Sequence, residues 1–279
     1  MKKNLILTCL SLLFFLSVEA SGASDLSLPK IQVFPIKDTQ SDKQYELYIK
    51  LPESYSKGEE KAYPVIYYAD APWHVELLSG TADFIMEEAI LVGISWQKDI
   101  DEDLRQEYGD HVSRFTDYSF WKKTNPKHPK LKFGHASNHL SFIRSDVFNY
   151  VEKNYRTKPN DRSYFGYSLS GLFGAYILVT QPDTFKNYIL GSPSLDLLTE
   201  YKIEFTNKKL NANVFISRGT LEEEKLRQPI SEFVNTLNAR NEKTLSIESV
   251  VIEGNHQTAF PMTGVRAVTW LANLTTEKE

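Results

Sequence analysis

The chain has 279 residues, 41% hydrophobic and 13% aromatic, enough for one large core, and no shift in composition marks a second domain. A formal net charge of −4 offers no electrostatic footprint for a polyanion, which excludes nucleic acid as a partner class. The only cysteine, Cys9, sits in an apolar N-terminal run, so the rest of the chain has no disulfide, thiol nucleophile or cysteine metal site.

Met1-Lys2-Lys3, the apolar stretch Leu5 to Val18 and the small residues Ala20 to Ser24 read as a secretory signal peptide over 1–23. Cleavage after Ala20 or Ala23 would release one domain over 24–279, periplasmic or secreted from a bacterium. Loss of Lys2, Lys3 and Glu19 takes the net charge from −4 to −5. The apolar run is shorter than the roughly 20 residues that a membrane span needs, so no stable membrane insertion is expected after cleavage.

The predicted elements then alternate. Strands are expected at Ile31 to Ile36, Tyr45 to Leu51, Pro64 to Tyr68, Ile90 to Ile94, Arg162 to Gly166, Tyr188 to Leu190, Val214 to Ser217 and Leu245 to Ile252. The first two flank the polar Lys37 to Lys43 and suggest an antiparallel edge hairpin. Helices are expected over Asn138 to Tyr155, Leu169 to Thr180, Lys225 to Arg240 and Pro261 to Leu274; in the first, Leu140, Ile143, Val147, Tyr150 and Val151 share a face. This is the pattern of an α/β fold, a mostly parallel central sheet with helices on both faces. Residues 97–135 form the one long irregular stretch, which we read as a lid. Its Lys-rich part, Lys122 to Lys132, reads as a solvated loop.

Chemistry concentrates at 161–180, DRSYFGYSLSGLFGAYILVT, where a short β-prone run meets Gly166-Tyr167-Ser168-Leu169-Ser170-Gly171 and then an apolar helix. A serine on a strand-to-helix turn among small residues has the layout of a nucleophile elbow. The helix start aims backbone N–H groups at an oxyanion beside the serine. Two later strands end in loops with suitable partners, Gly219-Thr220-Leu221-Glu222-Glu223-Glu224 and Glu253-Gly254-Asn255-His256. The order Ser168, acid, His256 suits a serine hydrolase. Spacing favours Glu222 as the acid, while Glu223 and Glu224 remain open.

Several further segments carry a resemblance. Tyr63-Pro64-Val65-Ile66-Tyr67-Tyr68 with Asp70-Ala71-Pro72-Trp73, then Val92-Gly93-Ile94, Arg114-Phe115-Thr116-Asp117-Tyr118, Ser192-Pro193-Ser194-Leu195 and Gly219-Thr220-Leu221-Glu222 fall in register. Together they resemble the putative-esterase branch of the α/β-hydrolases, which includes enterochelin (catecholate siderophore) esterases, feruloyl esterases and S-formylglutathione hydrolase. The resemblance covers nearly the whole chain after the leader. It implies the α/β-hydrolase fold and a small-molecule ester substrate, such as a catecholate siderophore or hydroxycinnamate ester. Three departures stand out. Ser170 replaces a usual Gly, Ala71-Pro72 replaces the usual oxyanion-loop Gly, and three glutamates follow Leu221. Since proline has no N–H, the oxyanion donors would be the Leu169 amide and that of Ala71 or Trp73.

The expected roles are Ser168 as nucleophile, His256 as base and Glu222 as the acid that orients it. His74 and Arg114 are candidates for substrate binding, against loop packing for His74 and an Arg114–Asp117 ion pair for the arginine. His135 and His139, four apart, are expected to cap or lie at the surface rather than bind metal. No cofactor fingerprint occurs, and no cofactor or metal is expected. An acyltransferase using the same residues, or a catalytically silent binding protein on this fold, are the alternatives.

Overall fold

The computed structural model describes residues 30–56, 60–201, 203 and 205–276; the expected leader and Cys9 lie outside them. Eight strands form one sheet: β1 (Ile31–Lys37), β2 (Gln44–Lys50), β3 (Tyr63–Tyr68), β4 (Ile90–Ile94), β5 (Thr157–Tyr167), β6 (Asn187–Gly191), β7 (Ala212–Gly219) and β8 (Leu245–Ile252). Their order across the sheet is β1-β2-β4-β3-β5-β6-β7-β8. β1 and β2 pair antiparallel, as the polar spacer suggests, and β2 also runs antiparallel to β4. Every later pairing is parallel.

The central strands are continuous apolar runs because both of their faces are covered. In β3, Tyr63, Val65 and Tyr67 join one core, while Ile66 and Tyr68 join the other. Helices α1 (Ala71–Ile85) and α9 (Phe260–Thr276) cover the second face, supplying Leu78, Ala82, Val268 and Leu271. The first face is covered by α4 (Ala136–Phe142), α5 (Phe148–Asn154), α6 (Leu169–Thr180), the short α7 (Asp196–Glu200) and α8 (Glu224–Ala239).

Two expectations need correction. The helix expected over Asn138 to Tyr155 begins at Ala136, and a π-helical segment, Ile143–Val147, separates α4 from α5. The apolar face nevertheless stays buried through Leu140, Ile143, Val147 and Val151, so the inserted residue alters hydrogen bonding without breaking the packing. Residues 97–135 are not irregular throughout. They contain α2 (Glu102–Tyr108), α3 (Ser113–Asp117) and a small core of Leu104, Val112 and Leu131 packed by Ile100, Tyr108, Phe115 and Phe133. These helices are short, and their apolar residues serve a local cluster, so no long helical period is visible in the sequence.

Candidate active site

β5 ends at Tyr167 and α6 begins at Leu169, leaving Ser168 alone in the turn with φ 59° and ψ −116°. A non-glycine residue tolerates such angles only where its surroundings impose them. Here the Ser168 amide donates to the Gly191 carbonyl (2.8 Å) and its carbonyl accepts from Leu172 (2.9 Å) and Ser194 (3.2 Å). The turn is also tight. A Cβ on Gly166 would collide with the Ser170 backbone carbonyl, which explains glycine at that position. The Ser170 hydroxyl, fully buried, accepts from the Tyr167 amide and donates to the Tyr167 carbonyl, both at 2.9 Å. The residue that departs from the usual glycine therefore fastens the turn rather than merely fitting it.

Two loops at the same rim are joined to each other beyond β7 and β8. The Thr220 amide donates to Ile252 (2.8 Å), the Leu221 amide donates to Gly254 (2.9 Å), and the Gly254 amide donates to the Thr220 hydroxyl (3.1 Å). Gly254, at φ 128°, supplies the turn that brings His256 back over the sheet. His256 Nε2 lies 2.8 Å from Ser168 Oγ, and Nδ1 lies 2.8 Å from Glu222 Oε1. A carboxylate only accepts, so Nδ1 carries the ring hydrogen and Nε2 is free to accept from the serine. The Gly219 amide holds the other Glu222 oxygen at 3.1 Å.

Burial separates the three glutamates. The Glu222 side chain is wholly enclosed, while Glu223 and Glu224 are about 70% exposed and pair with Lys225 and Arg227. Burial works against the Glu222 charge, but the hydrogen bonds from His256 and Gly219 help to outweigh it, and its pKa lies below the ordinary 4.5. Around this group, the Tyr167 hydroxyl donates to the His256 carbonyl at 2.7 Å. Burial pushes the Tyr167 phenol up to about 12, so it stays a donor at neutral pH.

The turn between β3 and α1 adjoins the serine turn, since β3 and β5 are neighbours and the Ala69 amide donates to Phe165 (3.2 Å). Ala71 is the first residue of α1, and its N–H has no backbone acceptor among the described residues. The Trp73 amide, the other candidate donor, is corrected: it already donates to the Asp70 carbonyl at 2.9 Å. Leu169 opens α6 and likewise has an amide without an intrahelical acceptor.

The two candidates for substrate binding are placed differently from expectation. His74 is 5% exposed, bonds the Ala69 carbonyl through Nδ1 (2.9 Å) and stacks on Phe260. It packs α1 against α9 and has almost no surface for a substrate; burial keeps its pKa low. Arg114 does not pair with Asp117. Its Nε and Nη2 donate to Asp70 at 2.7 and 3.0 Å, while Asp117 binds Lys43 and the Tyr45 hydroxyl, both at 3.0 Å. The expected partner Asp117 is replaced by Asp70, 44 positions away in sequence and equally buried.

His139 is not at the surface either. It is buried among Tyr45, Tyr118, Phe142 and Phe173, and burial lowers its pKa. No group of three or more His, Cys, Asp or Glu side chains able to hold a metal occurs among the described residues. Sequence gave no reason to single out His111, which lies 5.0 Å from the Trp73 ring beside Arg114 and Trp96; Trp73 itself is 49% exposed. A cavity of about 540 Å³ opens under 97–135, lined by Lys43, Thr116, Leu131, Lys132 and His135 among others, but none of Ser168, Glu222 and His256 reaches it.

Residues 39–278 match the sequence family described as "Putative esterase". The chain belongs to that family. Ferri-bacillibactin esterase BesA of Bacillus subtilis (strain 168) is 28% identical to this putative-esterase chain over 147 residues; the match spans 48% of this chain and about half, 51%, of that relative. Among solved structures, the BES protein of Bacillus cereus superposes with a TM-score of 0.72 at 24% identity, covering 90% of this chain and 98% of its own. Siderophore hydrolase EstA of Aspergillus nidulans gives a TM-score of 0.67 at 19% identity, covering 91% and 99%. These likenesses show the shared fold, of the α/β-hydrolase type.

Proposed function

We propose that this protein is an exported serine esterase that cleaves a carboxylic ester through an acyl-serine intermediate. One observation carries the reading: two 2.8 Å contacts link Ser168 to His256 and His256 to Glu222 in the order that acyl transfer needs. His256 Nε2 takes the Ser168 proton as Oγ attacks the ester carbon. Glu222 holds the imidazole in the required tautomer and stabilises the imidazolium. The amides of Leu169 and Ala71 face the developing oxyanion, and loss of one such donor costs on the order of 3 kcal/mol in the barrier. The imidazolium then gives its proton to the leaving alcohol. Water repeats the cycle with His256 as base and frees the acid and Ser168.

The substrate class follows from chemistry and likeness together. The half-exposed Trp73, with Arg114 at 4.7 Å over its ring, suits an aromatic acyl group. The named relatives act on ferri-bacillibactin and on siderophores. A siderophore ester with catecholate acyl groups is accordingly the preferred substrate, ahead of a hydroxycinnamate ester, and the N-terminal leader would deliver the enzyme to the bacterial periplasm. The test is turnover of p-nitrophenyl acetate, a catecholate trilactone and methyl ferulate by wild type and Ser168→Ala. The variant should lose all three activities. Equal rates would remove the hydrolytic reading, and turnover confined to methyl ferulate would remove the siderophore assignment.

A further inference from the structure

Asp70 occupies an unusual position for a helix N-cap. It is fully buried, its backbone is left-handed at φ 56° and ψ 42°, and its side chain makes no capping bond to α1. The carboxylate points instead into the 97–135 excursion and the end of β4. There it accepts from Arg114 Nε (2.7 Å) and Nη2 (3.0 Å), Trp96 Nε1 (2.7 Å) and the Tyr118 hydroxyl (3.2 Å). A buried carboxylate needs such satisfaction, and four donors supply it. The arginine sits against Trp73 and Tyr118 at 4.7 and 5.9 Å, which leaves its fork little freedom to turn.

The effect on α1 is specific. Trp73 and His74 donate their amides to the Asp70 carbonyl, and Pro72 has none, so Ala71 alone in the first turn retains an uncommitted N–H. Its direction depends on the Asp70 dihedrals. Aspartate visits the left-handed region more readily than most residues, usually through a local side-chain hydrogen bond. Here the side chain makes none to its own turn, and the four distant bonds are what tie the residue down.

We infer that Arg114 and Asp70 are positioning residues for the oxyanion site: the 97–135 excursion acts as a buttress that fixes the Ala71 amide, not as a cover that opens over the serine. This rests on the serine esterase reading above and goes beyond it. None of the hydrogen bonds among the described residues joins 97–135 to Ser168, Glu222 or His256, so the influence runs through the Asp70 turn. Because the amide meets charge only as it develops, misplacing it slows the chemical step and leaves ground-state binding intact.

The test compares Asp70→Asn with Asp117→Asn. Asp117 is an equally buried carboxylate of the same excursion, held by Lys43 and Tyr45 rather than by the turn. For Asp70→Asn, kcat on p-nitrophenyl acetate should fall about 10- to 100-fold with KM within about twofold. Affinity for a trifluoromethyl ketone, whose oxyanion mimics the transition state, should fall in parallel. Asp117→Asn should lower Tm while kcat per folded molecule stays at the wild-type value. Arg114→Lys, which keeps the charge but not the fork, should recover part of the kcat lost in Arg114→Ala. If Asp70→Asn does not fold, Trp96→Phe removes one donor and should reduce kcat by a smaller factor at constant KM. Wild-type kcat in Asp70→Asn or, failing that, in Trp96→Phe would overturn the inference, as would equal kcat losses in Asp70→Asn and Asp117→Asn. Full activity in Ser168→Ala is a different failure, because it removes the esterase reading itself.

Discussion

At Ser168 the backbone stores strain that the Gly191, Leu172 and Ser194 contacts hold in place, and the adjoining Ser170 hydroxyl locks the preceding residue from both sides. Ser170→Ala removes both hydrogen bonds from a fully enclosed site and leaves the Tyr167 amide and carbonyl without this partner. We expect a loss of about 1–3 kcal/mol in urea denaturation; an unchanged midpoint would show that the turn holds without it. At the acid, Glu222→Gln keeps the shape but disturbs the tautomer, and kcat/KM should drop by about 10³-fold or more. Glu223→Gln and Glu224→Gln, on exposed side chains, should stay near wild type; a comparable drop in either would reassign the acid. Much of this chemistry was legible in the sequence. The small residues around Ser168 and the Gly-containing loops before Glu222 and His256 are local signals. The role of Ser170 was not legible, because a hydroxyl that bonds its own turn looks identical in sequence to one that merely fits.

Among the elements, the sheet strands were the most readable, since central parallel strands must be apolar on both faces. The excursion at 97–135 was the least readable. Its partners lie far off in sequence, and the i,i+3 spacing of Arg114 and Asp117 suggested a pair that folding replaces with two separate ones. Both carboxyls are held below the ordinary 3.8, Asp70 mainly by Arg114 and Asp117 mainly by Lys43, each against the cost of burial. A carboxyl lowered in the folded state contributes stability that is complete above its unfolded value and fades as pH falls toward its folded one. The urea midpoint should therefore fall gently from pH 7 to about pH 5, where the unfolded imidazoles of His74 and His139 take up protons that their buried forms resist, and decline more steeply below about pH 4, where the carboxyls contribute. Asp117→Asn should be less stable than wild type at pH 7 and show a shallower acid decline. An unchanged acid slope in that variant would contradict the assignment of Asp117 to this linkage.

Over the whole molecule, the sheet divides two apolar layers, and the catalytic candidates gather where β3, β5, β7 and β8 end together. Phe215, fully buried in the middle of β7, packs on Trp270 of α9 at 5.6 Å. Phe215→Ala should cost about 3–5 kcal/mol in urea denaturation while the surviving folded protein keeps its kcat; a loss of kcat at full folding would mean that the rim depends on the core more directly than the contacts indicate. The convergence of Ser168, Glu222 and His256 from three loops is the claim on which the chemistry depends. It is tested most directly by treating the folded protein with diisopropyl fluorophosphate and mapping the adduct by mass spectrometry. One adduct per chain, on Ser168 and abolished in His256→Ala, is the predicted result. An unmodified Ser168 in protein that still turns over p-nitrophenyl acetate would contradict it.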